Sequence, residues 1–227
     1  MKQALVTGST RGIGKAIADK LEESEYHVFR NGRKPNCRRK DYIQADLTTL
    51  KGVTFLAETI QSQTQKLDCL VLNVGITCRK SLTEITPDDW FMVMNANLNM
   101  PFFLIQQLAE HMAEYGNIIF ISSVLSLQPH ATSIPYGVSK AAVNMLAQCL
   151  VKEFIERKIR VNVICPGFID TEWQKEKPSW LREKIIEKVA MKRFGTPEEI
   201  ADICVSLCRN TYINGAIVTV DGGYDMT

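Results

Sequence analysis

Hydrophobic positions fall into two kinds of run that alternate along the chain. One kind is short and continuously apolar or β-branched: "QALVT" (3–7), "HVF" (27–29), "CLVLN" (69–73), "NIIFIS" (117–122), "RVNVIC" (160–165) and "AIVTV" (216–220). Such runs predict strands buried on both faces, as in a parallel sheet, because a strand with one wet face would alternate. The other kind is longer, with apolar residues at helical spacing: 12–23, 48–65, 87–114, 136–157 and 197–208. Strand–helix alternation predicts an α/β fold, a doubly wound and mostly parallel sheet with helices on both faces. No linker, repeat or low-complexity segment breaks the rhythm, so 1–227 reads as a single domain.

Two stretches depart from that rhythm. Only "RKPNCRRKDYIQ" (33–44) separates the second strand from the region of Asp46. Once a short third strand near "DYIQA" is counted, making seven, no room remains for the dozen residues that a helical crossover needs. The helix after the second strand is therefore expected to be missing or rudimentary. The stretch "EWQKEKPSWLREKIIEKVAMK" (172–192) is helical in pattern but heavily charged. It reads either as a substrate lid near the strand ends or as a solvated surface helix pair.

Composition narrows the function classes. Hydrophobic residues make up 45% and charged residues 23%, and the net charge is only +2. No global field points to nucleic acid or a membrane surface, and no apolar run has the length of a membrane span. The seven cysteines (37, 69, 78, 149, 165, 204, 208) are odd in number and form no CxxC pair, and the three histidines (27, 111, 130) show no metal-ligand spacing. Reduced thiols, no metal and a cytoplasmic setting are the expectation. The start, "MKQALVTG", runs straight into an apolar strand without the pattern of a signal peptide.

Candidate chemistry begins at "TGSTRGIG" (7–14), which follows the first strand and opens the first helix. Gly8, Gly12 and Gly14 make either a tight turn or a cradle where backbone N–H groups and the helix dipole receive a pyrophosphate; the strand-before, helix-after context favours the cradle. At the end of the second strand, where a carboxylate would grip a ribose hydroxyl, the chain reads "RNGRKPN". Gly32 stands in the acid's place and Arg33 follows, which suits a 2′-phosphate and hence NADPH (NADP+). Six of the eleven residues in 30–40 are basic (Arg30, Arg33, Lys34, Arg38, Arg39, Lys40). Arg33 and Arg11 are the phosphate ligands selected, the others reading as a solvated loop. In "SIPYGVSKAA", Tyr136 and Lys140 are one helical turn apart on one face, an arrangement that is either a catalytic pair or a surface coincidence.

Taken together, these segments resemble the short-chain dehydrogenase/reductase family, most closely its 3-oxoacyl-(acyl carrier protein) reductase group, over almost the whole chain. "TGSTRGIG" is similar to the family's cofactor loop, "ADLT" (45–48) to its adenine-contacting segment, "NVGI" (73–76) to its Asn-Ala-Gly turn, and "CPGFIDT" (165–171) to the segment over the nicotinamide carboxamide. Asn97 lies seven residues after Trp90, and Ser123 thirteen before Tyr136, both family spacings; "KRFGTPEEIA" and "VDGGY" resemble the C-terminal signatures. The resemblance implies a Rossmann-type fold and a cofactor site made of Gly8, Thr10, Arg11, Gly12, Ile13, Gly14, Arg33, Asp46, Leu47, Asn73, Gly75, Tyr136, Lys140, Pro166, Gly167, Ile169 and Thr171. Two departures are visible: Val74 stands where the family keeps a small alanine, and the helix after the second strand is missing.

The same resemblance implies a catalytic set of Asn97, Ser123, Tyr136 and Lys140. Tyr136 would protonate the substrate oxygen, its phenol drawn below the ordinary value near 10 by the Lys140 cation and by the oxidised nicotinamide. Lys140 would also hold the nicotinamide ribose, Ser123 would hydrogen-bond the substrate oxygen, and Asn97 would anchor a water. The leading expectation is NADPH-dependent reduction of a ketone, a 3-oxoacyl thioester on acyl carrier protein. The alternatives are a carbonyl reductase or alcohol dehydrogenase for another small molecule, and a non-catalytic NADPH-binding sensor or scaffold. The apolar "VLSLQPHATSIP" (124–135) fits either substrate. Lys175, Lys177, Arg182, Lys184, Lys192 and Arg193 suit an acidic carrier protein, although Glu172, Glu176, Glu183 and Glu187 are interleaved. A homotetramer of D2 symmetry, or a dimer, is implied through helices in 87–114 and 136–157 and the C-terminal strand with "DGGYDMT".

Overall fold

The computed structural model describes residues 1–35, 39–129, 133–224 and 226. Arg38 and Cys37 of the basic run, His130, and parts of the 124–135 and C-terminal stretches lie outside the described residues. The elements in chain order are β1 (Lys2–Val6), α1 (Gly12–Glu23), β2 (Tyr26–Gly32), β3 (Tyr42–Gln44), α2 (Leu50–Gln63), β4 (Leu67–Leu72), α3 (Pro87–Met94), α4 (Met100–Leu108), β5 (Met112–Ile121), α5 (Ile134–Glu153), β6 (Arg160–Pro166), α6 (Glu172–Lys175), α7 (Ser179–Glu187), α8 (Pro197–Arg209) and β7 (Ile217–Val220). The seven strands form one sheet in the order β3-β2-β1-β4-β5-β6-β7, and every pairing is parallel.

Successive residues of a strand face opposite ways, and this divides each apolar run between two cores. Leu5, Leu70, Ile118, Phe120 and Val163 pack on one face with Leu56 of α2, Leu104 of α4 and Val143 of α5. Ala4, Val6, Val71, Ile119 and Ile164 pack on the other with Ile17 and Leu21 of α1 and Ile200 and Leu207 of α8. Cys204 and Cys208 sit in this second core with Cys69, as filling. Both α3 and α8 start on a capping box, Thr86 with Asp89 and Thr196 with Glu199, each followed by a proline in the first turn. The sheet order reverses direction between β1 and β4, because α1 leaves to one face and α2 returns on the other. Ligands of open α/β sheets bind at such a switch point, outside the carboxyl ends of the strands.

One expectation changes. The stretch 87–114 is not one helix: α3 gives way to a wide π turn over Asn95–Asn99, where the N–H of Met100 bonds to the Asn95 carbonyl. Pro101 supplies the cause. It has no N–H for the Asn97 carbonyl and its ring crowds that carbonyl, so the ladder opens. Helix α4 then ends at Leu108, a 3-10 turn covers Ala109–His111, and β5 begins at Met112. The expected loss of a helix between β2 and β3 appears as a connection over 33–41 whose described residues are not helical. The charged 172–192 stretch folds as α6 and α7. No helix among the described residues is long and apolar enough to cross a membrane.

Candidate active site

The glycine loop joins β1 to α1. Gly8 and Gly12 have φ of +62° and +54°, a region that side chains resist. Gly14 needs its bareness for packing: a Cβ there would lie 2.4 Å from the Gly8 carbonyl oxygen and 2.5 Å from Asn73 Nδ2. Asn73 braces the loop by donating to the carbonyls of Thr7 and Gly8, each at 3.1 Å. The α1 N-terminus has no side-chain cap from Arg11 and no acid in its first turn. Its N–H groups and dipole are thus left for an external anion, which fits the pyrophosphate of a dinucleotide. Asn31 was not selected from the sequence. Its side chain accepts from Gly8 N (3.3 Å) and donates to the Ile43 and Ala45 carbonyls (3.2 Å each), tying the loop to β3. The available signal was an amide inside a buried strand.

At the adenosine end, packing enforces the missing acid. A Cβ on Gly32 would lie 2.5 Å from Thr10 Cγ2 and 2.7 Å from the Tyr42 hydroxyl, which donates to the Lys34 carbonyl. The basic run divides. Arg30 is only 3% exposed and pairs with Asp19 at 2.6 Å and Glu22 at 2.9 Å, while Arg39 meets Glu22 at 2.9 Å. Arg30 is therefore an internal ion pair rather than part of a solvated loop. Arg33, Lys34 and Lys40 are exposed and, among the described residues, have no carboxylate partner. Arg11, exposed on the glycine loop, pairs with Glu172 of α6 at 2.7 Å. Asp46 is exposed and accepts from Thr48 N (3.0 Å) and Oγ1 (2.8 Å), whereas Leu47 is buried in the core.

The reaction end gathers Asn97, Ser123, Tyr136 and Lys140 at the carboxyl edge of β4 and β5. Ser123 follows β5; Tyr136 and Lys140 lie on the first turns of α5, entered through Ser133 with Pro135 in its first turn. Tyr136 is half-buried, with the Ser123 hydroxyl close enough to draw its phenol down. Lys140, 4% exposed, donates from Nζ to the Ile121 carbonyl at 2.8 Å, and this atom lies 5.8 Å from the Tyr136 ring centre. A Cβ on Gly75 would stand 3.4 Å from Lys140 Nζ and 3.7 Å from Asn97 Oδ1, so the 73–76 turn borders the same space.

Two details bear on the expected roles. Burial pushes the Tyr136 phenol up to about 12, with the Ser123 hydrogen bond and the Arg79 charge pulling the other way, and Lys140 is not among the causes. Lys140 is itself pushed down to about 8 by burial. Asn97 has both amide N–H groups committed, to the Ile76 carbonyl and to Ser139 Oγ at 2.9 Å each, and accepts from Ile76 N at 2.8 Å. Its side chain clamps the 73–76 turn onto α5.

Past β6, Gly167 N donates to the Val220 carbonyl (3.0 Å), and a Cβ on Gly167 would meet Asp221 Cα at 2.7 Å. This sets Pro166 and Gly167 close under the C-terminal segment. Ile169 is buried and bridges to Gly195. Thr171 opens α6 and lies against Gly12, 3.3 Å from the position of a Cβ there. Trp173 sets its ring edge-on to Tyr136, centroids 6.5 Å apart. Segment 172–192 therefore touches the glycine loop through Glu172 and the reaction end through Trp173. Among the described residues, no group of three or more His, Cys, Asp or Glu side chains is placed to hold a metal ion.

Residues 8–225 match a family model described as enoyl-(acyl carrier protein) reductase. The chain is 31% identical to the 3-oxoacyl-[acyl-carrier-protein] reductase FabG of Aquifex aeolicus over 98% of its own length and 96% of that protein's. It is also 32% identical to glucose 1-dehydrogenase 2 of Bacillus subtilis over 98% of its length and 94% of the relative's. Among solved structures, a Pseudomonas aeruginosa RhlG/NADP active-site complex superimposes with a TM-score of 0.93 at 31% identity, covering 99% of this chain and 96% of that one.

Proposed function

Because the chain belongs to the short-chain dehydrogenase/reductase family and is an NAD(P)-dependent oxidoreductase, we propose that it reduces a ketone to a secondary alcohol with NADPH, a 3-oxoacyl thioester on acyl carrier protein being the first candidate substrate. One observation carries the reading: the Tyr136 phenol, with Ser123 and the buried Lys140 beside it, shares the strand ends with an uncapped α1 N-terminus. The bound dinucleotide supplies the hydride. The chain's own part is to hold and protonate the oxygen. Ser123 donates a hydrogen bond to the substrate oxygen, and Tyr136 delivers the proton. A phenol at about 12 is fully protonated at neutral pH and stocked as a donor. Lys140, close by and buried, offers the cation that steadies the phenolate left behind.

The 2′-phosphate preference rests on Arg33 and Lys34 standing unpaired beside a Gly32 that leaves no room for an acid, and the NADP complex of RhlG agrees with it. Exposed Phe91, Met92, Phe102, Val138 and Met145 on α3, α4 and α5 support a homotetramer, which light scattering at micromolar concentration would test. The similarity to glucose 1-dehydrogenase 2 keeps another small molecule as the second reading of the substrate. The deciding experiment follows NADPH oxidation against acetoacetyl thioesters, neutral ketones and aldose-derived substrates. Turnover of no carbonyl compound would sink the reductase reading in favour of a binding module.

A further inference from the structure

A cluster of aromatic rings that carry cations adjoins Tyr136 through Trp173. Trp173 abuts Tyr136, and the Arg79 guanidinium carbon lies 5.7 Å from the Trp173 ring centre. Lys177 Nζ stands 4.9 Å over the Phe168 ring and the Arg182 guanidinium carbon 4.4 Å over Phe194. Phe168 and Phe194 are in turn edge to face, 6.3 Å apart. A ring face holds a cation without using its N–H donors. Those donors are poorly served. Asp170 meets Arg182 Nη2 at 3.1 Å, but Arg182 Nη1 is buried without a hydrogen-bond partner. Among the described residues no carboxylate pairs with Arg79 or Lys177. Three cations thus face one carboxylate.

That imbalance is unfavourable to the fold, since a buried donor left unmade and crowded like charges both destabilise. The crowding is felt: burial, then the Arg79 and Arg182 charges, push the Lys177 ammonium down to about 8. An anionic oxygen group would satisfy the orphaned Arg182 donor and offset the surplus charge together.

We propose that Arg79, Lys177 and Arg182 form an anion subsite beside Tyr136, so that the ketone substrate carries a carboxylate or phosphate held by these cations. This rests on the ketone-reductase reading and narrows its substrate. A small oxo acid fits directly. A thioester qualifies only if the phosphate of its carrier arm reaches the subsite.

The test compares matched pairs with NADPH: acetoacetate against its methyl ester, and acetoacetyl-coenzyme A against acetoacetyl-N-acetylcysteamine, which lacks phosphate. At least a tenfold higher kcat/KM for an anionic member is expected, the first pair reporting a carboxylate and the second a phosphate. In Arg182→Met and Lys177→Met that advantage should shrink about tenfold while the neutral member is unaffected, and Arg182→Lys should restore part of it. Equal rates within both pairs, or an advantage untouched by the variants, would overturn the subsite and leave the reductase reading standing. If no ketone is turned over, the reductase reading fails separately. Calorimetric titration of acetoacetate into the NADP+-loaded protein then decides the subsite. Binding weakened tenfold in Arg182→Met supports it, and no binding at millimolar acetoacetate overturns it. Circular dichroism melts establish that each variant is folded.

Discussion

Asn97 donates to Ser139 Oγ at 2.9 Å, and Ser139 Oγ donates onward to the Tyr136 carbonyl at 2.8 Å. The π turn that Pro101 opens is thus fastened, through two buried side chains, to the helical turn that carries the proposed proton donor. Ser139→Ala fits the site without a clash but strands an Asn97 donor, at about 1–3 kcal/mol. At about 2–4 °C per kcal/mol for a chain of this size, the melting temperature should fall by several degrees. Turnover should fall more than NADPH affinity, because the link positions Tyr136. An unchanged melt would show that the link holds nothing.

Tyr136→Phe keeps the ring against Trp173 and removes the proton. Turnover should drop by about 10²–10⁴, with NADPH affinity, read by fluorescence titration, nearly unchanged. Wild-type turnover in the variant would end the proposed role of Tyr136.

Lys140 places a protonation burden on the fold. Its folded value, about 8, lies below the ordinary 10.5. Below about pH 8 both states hold the proton and the penalty of burying it, ~3 kcal/mol, is fully present. Between about 8 and 10.5 the unfolded chain still binds a proton that the folded chain has lost, so stability rises with pH. Lys140→Met removes that slope and leaves the Ile121 carbonyl without its donor, at ~1 kcal/mol. Denaturant melts should find the variant more stable than wild type at pH 7 by ~1–2 kcal/mol, with the difference vanishing or reversing by pH 10. Tyr136 and Lys177 titrate in both proteins and cancel in the comparison. A difference independent of pH would contradict it.

Cofactor choice is tested at Arg33. A hydrogen bond to a charged group contributes about 1.5–3 kcal/mol, and exposure to salt brings it to the lower end. Wild type should favour NADPH over NADH about tenfold in kcat/KM, and Arg33→Ala should lose most of that preference. Introducing an acid by Gly32→Asp would not reverse it cleanly: the new Cβ meets Thr10 and Tyr42, so the expected result is a lower melting temperature. A wild-type preference for NADH would remove Arg33 from the site.

The sequence by itself determined the sheet and the identity of the chemistry. Strands such as 117–122 and 160–165 are legible because a strand buried on both faces must be apolar throughout, whatever it packs on. The trimmed β2–β3 connection is a matter of chain length. The glycine loop and the Ser123–Tyr136–Lys140 spacing are local requirements that any fold of this kind writes into neighbouring residues.

Tertiary structure decided everything that depends on partners far along the chain. Arg30 looks like its basic neighbours until β2 lies beside α1 and brings it to Asp19 and Glu22. Arg11 looks free until α6 delivers Glu172 from 161 residues away. Asn97 shows no partner in the sequence until folding brings Ile76 and Ser139 to its amide. The spacing of Tyr136 and Lys140 promised a depressed phenol, but burial, a property of the packed whole, raised it. Arg79, Lys177 and Arg182 come from separate loops and helices, and only folding sets them on adjoining rings. The physical reason is common to all. Periodicity and turn chemistry act over a few residues and leave a pattern in sequence order, whereas ion pairing and desolvation depend on distances that exist only once the sheet has formed.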